Sequence, residues 1–303
     1  MRDIFIKELI KLAEKDPNIT LITGDLGFGV FEEYIKKLPK QFLNAGVAEQ
    51  NMTMIASGMA LEGKKVFTYS IGNFPTLRCL EQIRNDVCYH NLNVKIVSIG
   101  GGFSYGSLGM SHHSTEDLSI MRALPNMVVL APGSLEEVRQ ATRKIVNLKG
   151  PAYLRLDKSF SKNKLSSAFK IGKADMVFDG DDLTMICSGG ILEEAIKAVS
   201  LLKEEGIYPR LLSMHTVKPL DKKALKNAVK DTNKIITIEE NNLCGGLGSA
   251  VTEYLLDEGL IPKTFKRIAI NDVYSNIVGD QNFLRKKYSI DSQSIFKKIK
   301  QQI

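Results

Sequence analysis

The sequence predicts an α/β protein. A doubly wound, mostly parallel sheet is expected over residues 1–165, a linker over 166–180, and a second, smaller α/β domain over 181–303. Three observations predict it. Short apolar runs of strand length alternate with segments of helical period. The alternation stops in a polar connector (Ser159, Ser161, Lys162, Asn163, Lys164, Ser166, Ser167) and then restarts. The chain has 303 residues, which suits two domains at roughly 100–200 residues each.

Ile4, Ile6, Leu9, Ile10 and Ala13 recur at helical spacing and open the chain with a helix. Ile19–Thr23 is a strand ending at Gly24-Asp25. The run from Met52 to Leu61 is helical and almost wholly apolar or small. Val66–Tyr69 is the next strand, residues 75–89 a helix, and Val94–Ile99 a third strand running into three glycines. Met127–Leu130 and Ala152–Leu156 are further strands. Between them Ser134-Leu135-Glu136-Glu137 has the spacing of a capping box. In the second half, strands are expected at Leu183–Cys187, Pro209–Met214, Ile235–Glu239 and Phe265–Ile270, with a helix over 191–205.

Composition excludes several classes. Hydrophobic content of 44% with 25% charged residues is that of an ordinary globular protein. No apolar run approaches the ~20 residues of a membrane span. The start, Met1 to Glu8, has no signal-type apolar core, so a cytoplasmic protein is expected. The four cysteines lack C-x-x-C spacing, which signals neither a zinc site nor an iron–sulfur cluster. The net charge of +7 is spread along helix faces with no arginine-rich arm, so no nucleic-acid or membrane partner is expected.

The most informative stretch is Asn44-Ala45-Gly46-Val47-Ala48-Glu49-Gln50-Asn51-Met52. It sets one carboxylate at a strand-to-helix junction, ahead of an apolar helix. Burial resists ionisation, so Glu49 is expected to be protonated or to share a proton, as a proton-transfer group would be. An acid favoured by the positive end of a helix has the same spacing.

These motifs bear a resemblance to a family. Gly46-Val47-Ala48-Glu49-Gln50-Asn51-Met52 resembles the glutamate motif in the pyrimidine-binding domain of transketolase-like thiamin diphosphate enzymes. Gly106-Ser107-Leu108-Gly109-Met110-Ser111-His112-His113 resembles the family's glycine-bounded loop ending in Thr-His-Gln, and Pro125-Asn126-Met127-Val128-Val129 matches the strand after it. Met214 to Asp221 and Glu239 to Ala250 are similar to the family's C-terminal domain. The family's diphosphate-binding domain, with its Gly-Asp-Gly segment and downstream Asn, has no counterpart here. Gly24-Asp25-Leu26-Gly27 and Gly180-Asp181-Asp182 are not that segment.

The resemblance therefore implies the C-terminal subunit of a split transketolase. It implies thiamin diphosphate as cofactor, with the diphosphate and Mg²⁺ (or Ca²⁺) held mainly by a separately encoded N-terminal subunit. It further implies a homodimer core within a heterotetramer, and sugar substrates. Glu49 would face a pyrimidine nitrogen and serve the proton transfer that activates the cofactor. Phe74, after Ile71-Gly72-Asn73, would stack on the pyrimidine ring. Tyr69 and Asp25 are further candidates for cofactor contact. His112 would face the reacting carbonyl and hydroxyl oxygens of the substrate. His113, where the family has Gln, Leu108, and Lys158, near a phosphate-binding arginine position, would also contact substrate. No residue of this chain is expected to bind metal.

Leu108 departs from the family, whose loop carries a hydroxyl-binding Asp there. That departure points to a specialised or modified sugar. Two other functions share the fold: the beta subunit of a 2-oxo-acid dehydrogenase's decarboxylating component, and a partner subunit without catalysis. The Ala-Glu-Gln-Asn and Ser-His-His motifs favour ketol transfer over the former, and retention of Glu49, Phe74 and His112 argues against the latter. A hydrolase triad of Ser111, His112 and Asp117 lacks the G-x-S-x-G elbow.

Overall fold

The structure, a computed structural model, describes residues 1–302. The first half supplies six strands of a seven-stranded sheet in the order β10-β5-β6-β4-β3-β1-β2, in which β10 is Thr216–Lys218. Its strands are β1 (Ile19–Thr23), β2 (Phe42–Asn44), β3 (Lys65–Ile71), β4 (Val94–Ile99), β5 (Val128–Leu130) and β6 (Ala152–Leu156), all paired in parallel. The helices between them are α1 (Arg2–Ala13), α2 (Glu32–Lys37), α3 (Glu49–Leu61), α4 (Leu80–Gln82), α5 (Asp117–Ala123) and α6 (Leu135–Val146). β1, β4 and β6 are buried along their whole length, because helices cover both faces of the sheet.

The side-chain period of two sorts each strand between two cores. Phe67 and Tyr69 of β3 join Phe5, Leu9, Val138 and Ala141 on the side of α1 and α6. Val66 joins Ile22, Met52, Ala56 and Val129 on the side of α3. The capping box forms as the sequence predicts: the Glu137 N–H donates to Ser134 Oγ at 3.1 Å, and the Ser134 N–H donates to Glu137 Oε2 at 3.2 Å. Residues 75–89 depart from the single helix expected. They form a 3₁₀ turn (Leu77–Cys79), the short α4 and a π-helical stretch (Ile83–Cys88). Departures from the α-helical pitch of this kind often mark functional sites.

The second sheet has the order β12-β11-β8-β9-β7, with β7 (Asp175–Phe178), β8 (Thr184–Ser188), β9 (Arg210–Ser213), β11 (Lys234–Asn242) and β12 (Thr264–Ile270). It is parallel except at the edge pair of β7 and β9. α7 (Leu192–Glu204), α8 (Lys222–Asp231), α9 (Leu247–Asp257), α10 (Gln281–Lys287) and α11 (Ser292–Lys300) accompany it. One strand crosses the sequence boundary. β10 (Thr216–Lys218) lies within the second half of the chain, yet it pairs antiparallel with β5 and completes the first sheet. Among the described residues no helix is long and apolar enough to cross a membrane.

The fold positions the site through the carboxyl ends of the parallel strands, where open α/β sheets build their crevices. β1 leads into the glycine-rich segment 24–31, β2 into 45–48 ahead of α3, β3 into 72–79, and β4 into 100–116. Every candidate residue except Tyr69 and Lys158 lies on one of these connections or at the first turn of α3.

Candidate functional site

Glu49 is the first residue of α3, and no side chain caps that helix. The carboxylate thus sits at the positive end of the helix. Its side chain is 4% exposed, and Oε2 accepts a hydrogen bond from Arg78 Nη1 at 2.8 Å. Instead of the proton-sharing partner expected from the sequence, the fold supplies a guanidinium. Gly24, at the end of β1, makes room: a Cβ there would stand 3.3 Å from Glu49 Cγ. The Glu49 carbonyl accepts from Thr53 Oγ1 at 3.0 Å one turn along the helix.

Arg78 comes from the 3₁₀ turn after β3, with its side chain 46% exposed. Its guanidinium lies over the ring of Phe74 at 4.6 Å, a cation–π contact. The Phe74 ring, half-buried, meets the imidazole of His112 edge-on, with centroids 5.2 Å apart and an interplanar angle of 76°. A continuous row thus runs Glu49, Arg78, Phe74, His112, across the ends of β2, β3 and β4. Asn73 ties the two loops together, its Nδ2 donating to the His113 carbonyl at 2.6 Å. Cys79 Sγ supports the Phe74 carbonyl at 3.2 Å.

His112 is half-buried. Burial and, second, neighbouring His113 lower its pKa below the ordinary histidine value, so the ring is neutral near pH 7. Nδ1 lies 3.0 Å from Ser111 Oγ, leaving Nε2 for another group. The Ser111–His112 contact does not extend to a triad. Asp117 is fully buried and bonds Tyr153 and Arg155, at 2.5 and 3.3 Å. Leu108 closes a 3₁₀ turn (Gly106–Leu108) in the same loop, exposed.

Four candidates lie elsewhere. Tyr69 is 1% exposed, stacked on Phe5 at 6.2 Å and edge-on to Phe31 at 4.9 Å, so it is a core residue with no face for a cofactor. The pleat explains this: Tyr69 points to the α1 side of β3, away from α3. His113 is buried too. Its Nε2 pairs with the Gly106 carbonyl at 3.1 Å and its ring packs edge-on against Phe103, so these two contacts fix it within the loop. Asp25 is exposed and exchanges hydrogen bonds with Asn44, which fastens the ends of β1 and β2. Lys158 is exposed, with Nζ 3.9 Å above the Tyr105 ring in a cavity it shares with Met1, Arg2, Asp3 and Ile99. The fold does not bring it into the row.

Arg78 and Asn73 are the residues that sequence reasoning missed. No spacing rule marks a lone arginine four residues after an aromatic, and the irregular turns between Leu77 and Cys88 remove the helical period that would have set its direction. Among the described residues no group of three or more His, Cys, Asp or Glu could hold a metal ion. The donor set fits a heteroaromatic ring instead: a buried carboxylate, an aromatic face and an imidazole in one row.

Comparison with known proteins gives the same outline. Residues 1–162 match the family model for the transketolase pyrimidine-binding domain, and residues 172–295 match that for the transketolase C-terminal domain. A putative transketolase C-terminal section of Methanocaldococcus jannaschii is 40% identical, over 100% of this chain and 96% of its own length. One subunit of the apulose-4-phosphate transketolase of Phocaeicola vulgatus is 35% identical, over 98% of this chain and 95% of its own. A solved split-gene transketolase, described as an inactive beta4 tetramer, superposes with a TM-score of 0.90 at 32% identity, covering 99% of this chain and 97% of the other.

Proposed function

The chain belongs to the transketolase family, and from that premise we propose that it is the C-terminal subunit of a split, thiamin diphosphate-dependent transketolase acting in the cytoplasm. It moves a two-carbon ketol unit between sugars. The observation that carries this reading is the row Glu49, Arg78, Phe74, His112, with a buried carboxylate at one end and a neutral imidazole at the other. The relatives are named as transketolases, which favours ketol transfer over 2-oxo-acid decarboxylation. One of them is named for apulose 4-phosphate, and Leu108 is apolar. Both support a phosphorylated sugar that is modified or unusual.

When bound, thiamin diphosphate supplies a nucleophilic carbon and an electron sink for carbon–carbon cleavage. The residues of this chain bind, orient and move protons. Phe74 offers the face against which a pyrimidine ring stacks. Glu49 holds the proton at a ring nitrogen. Its Oε2 is engaged by Arg78, and among the described residues Oε1 accepts no hydrogen bond, so Oε1 is the oxygen for that contact. Arg78 fixes the orientation of the carboxylate and shields its outer side. His112 donates from Nε2 to a substrate oxygen as charge gathers on it. The diphosphate and its Mg²⁺ (or Ca²⁺) belong to a separately encoded N-terminal subunit, and two copies of this chain form the core of a heterotetramer. That assembly is supported by the relatives, one named as a C-terminal section and another as one of the subunits of its enzyme.

Calorimetric titration tests the division of labour. Thiamin diphosphate with Mg²⁺ should bind this chain weakly by itself and at least about 100-fold more tightly once the partner is added, which corresponds to about 2.7 kcal/mol. Tight, Mg²⁺-dependent binding to the chain by itself would overturn it.

A further inference from the structure

The loop that carries His112 is moulded by the second domain. Its neck closes where Gly102 and Ser114 exchange backbone hydrogen bonds of 2.7 and 2.9 Å. Just inside the neck, the Phe103 N–H donates to Oε1 of Glu240 at 2.8 Å. Glu240 stands on β11 of the second sheet. Its Oε2 accepts from Arg285 Nε at 2.9 Å and from Nη2 at 2.5 Å. Arg285, on α10, also donates to Ser159 Oγ at 2.7 Å. Gln281, the first residue of α10, donates from Nε2 to both oxygens of Glu240, each at 3.1 Å, and to Ser104 Oγ in the loop at 3.3 Å.

Packing repeats the message. The Phe103 ring is 1% exposed and belongs to the second domain's core, with Leu284 and Ile290. It stacks on Tyr288 with centroids 5.2 Å apart. Three residues on, Gly106 approaches α10 so closely that a Cβ would lie 2.4 Å from Leu284 Cδ1 and 2.5 Å from the Gly279 carbonyl oxygen. From Phe103 to Gly106, then, the loop is set against β11 and α10. Leu108 and His112 follow within two short turns.

A buried ion pair is weak evidence for stability, because desolvation offsets most of its attraction. The Glu240–Arg285 pair is informative for what else it binds. Glu240 gives one oxygen to a loop N–H, and both oxygens and the guanidinium are taken, so the carboxylate cannot swing away. Charge-assisted bonds in a dry site are short and directional.

We infer that Glu240, held by Arg285 and Gln281, is a positioning residue for ketol transfer: the second domain sets where His112 and Leu108 stand against the substrate. The functional half of this inference rests on the transketolase reading. Small displacements of a reacting group can cost about 100-fold in rate, so an anchor of this kind is felt at a distance.

The test uses the assembled two-subunit complex with two variants, Glu240→Gln and Gln281→Ala. The second removes only a half-buried amide and keeps the ion pair, so it remains informative if the first does not fold. Two quantities are read: hydrogen exchange of the amides of residues 103–113, and kcat for ketol transfer alongside the affinity for thiamin diphosphate. In folded Gln281→Ala, loop exchange should rise roughly tenfold while β8 and β11 keep their protection. In the same variant kcat should fall about 10-fold with cofactor affinity unchanged; Glu240→Gln, where it folds, should lose up to about 100-fold. Unchanged loop exchange in Gln281→Ala, or faster exchange with unchanged kcat, overturns the inference. A wild-type complex that transfers no ketol unit counts against the functional reading, and the exchange measurement still decides whether the second domain holds the loop.

Discussion

Two carboxylates flank the His112 loop, and they are built on opposite plans. Glu240 has both oxygens occupied by groups of its own chain, deep in the second domain. Its neighbour Glu239 is treated alike, accepting the N–H groups of Leu247 and Gly248 at 2.7 and 2.8 Å. Glu49 has one partner, and that partner is half in solvent. Exposed apolar side chains stand on the connections at the same strand ends and on the first turns of α3: Phe28 is 83% exposed and Val47 75%, and Met54, Leu108 and Met110 are exposed as well. The difference teaches a division of roles. The closed cluster has its partners within the chain, and the open one leaves a carboxylate oxygen for a group from outside, as the proposed function requires.

The largest test of that division is Glu49→Gln. Glutamine keeps the size and a hydrogen bond to Arg78 but cannot exchange a carboxyl proton. Hydrogen–deuterium exchange at the thiazolium carbon of the assembled complex should slow by about 10²–10⁴-fold. An unchanged rate would remove Glu49 from the open cluster's chemistry. His112→Ala comes next. It should lose about 2–4 kcal/mol of transition-state stabilisation, read from kcat/KM, with little change in cofactor affinity. An equal loss in cofactor binding would make His112 a structural prop of the Phe74 ring.

The smallest effect falls on the closed clusters. Burial pushes Glu239 up to about 7, and Glu137, the buried acid of the capping box, likewise to about 7. The unfolded chain releases these protons near the ordinary value of 4.5. Between those limits the folded chain holds protons that the unfolded chain has lost. Stability is therefore greatest below about pH 4.5 as far as these two groups are concerned, falls as pH rises through 7, and levels out above. Each contributes a change on the order of 1–3 kcal/mol. Thermal melts from pH 5 to 8 should record the decline, and Glu137→Gln should flatten it. A wild-type melting curve that rises across this window would contradict the assignment.

Much of this molecule was legible in its sequence. Strand-length apolar runs and the Ser134/Glu137 spacing are local signals, and the sheets and α6 follow them. Glu49 stands out as a lone acid ahead of an apolar helix, while the part given to the His112 loop rested on the resemblance of its motif to the transketolase-like family. What was not legible depends on contacts between distant segments. The burial of Tyr69 turns on which side of β3 faces α1, and an aromatic beside a glycine-rich turn looks the same on either side. His113 reads like His112 until the pairing with Gly106 orients it. Arg78 meets Glu49 only because the chain after β3 leaves the regular helix. Glu240 carries no local signal of its own within the stretch that resembles the family's C-terminal domain, and its bond to Phe103 joins residues 137 apart in sequence.

The placement of β10 has a practical corollary for anyone dividing this chain. A cut in the connector after residue 165 would separate two sequence-defined halves, yet it would strip β5 of its antiparallel neighbour and bare a row of unpaired backbone groups at the end of the first sheet. Bare edges recruit strands from other molecules. A stable fragment of the first half would have to carry its own edge protection, such as a grafted copy of Thr216–Lys218 or a lysine placed outward on β5. The chain is modular to read and continuous to build.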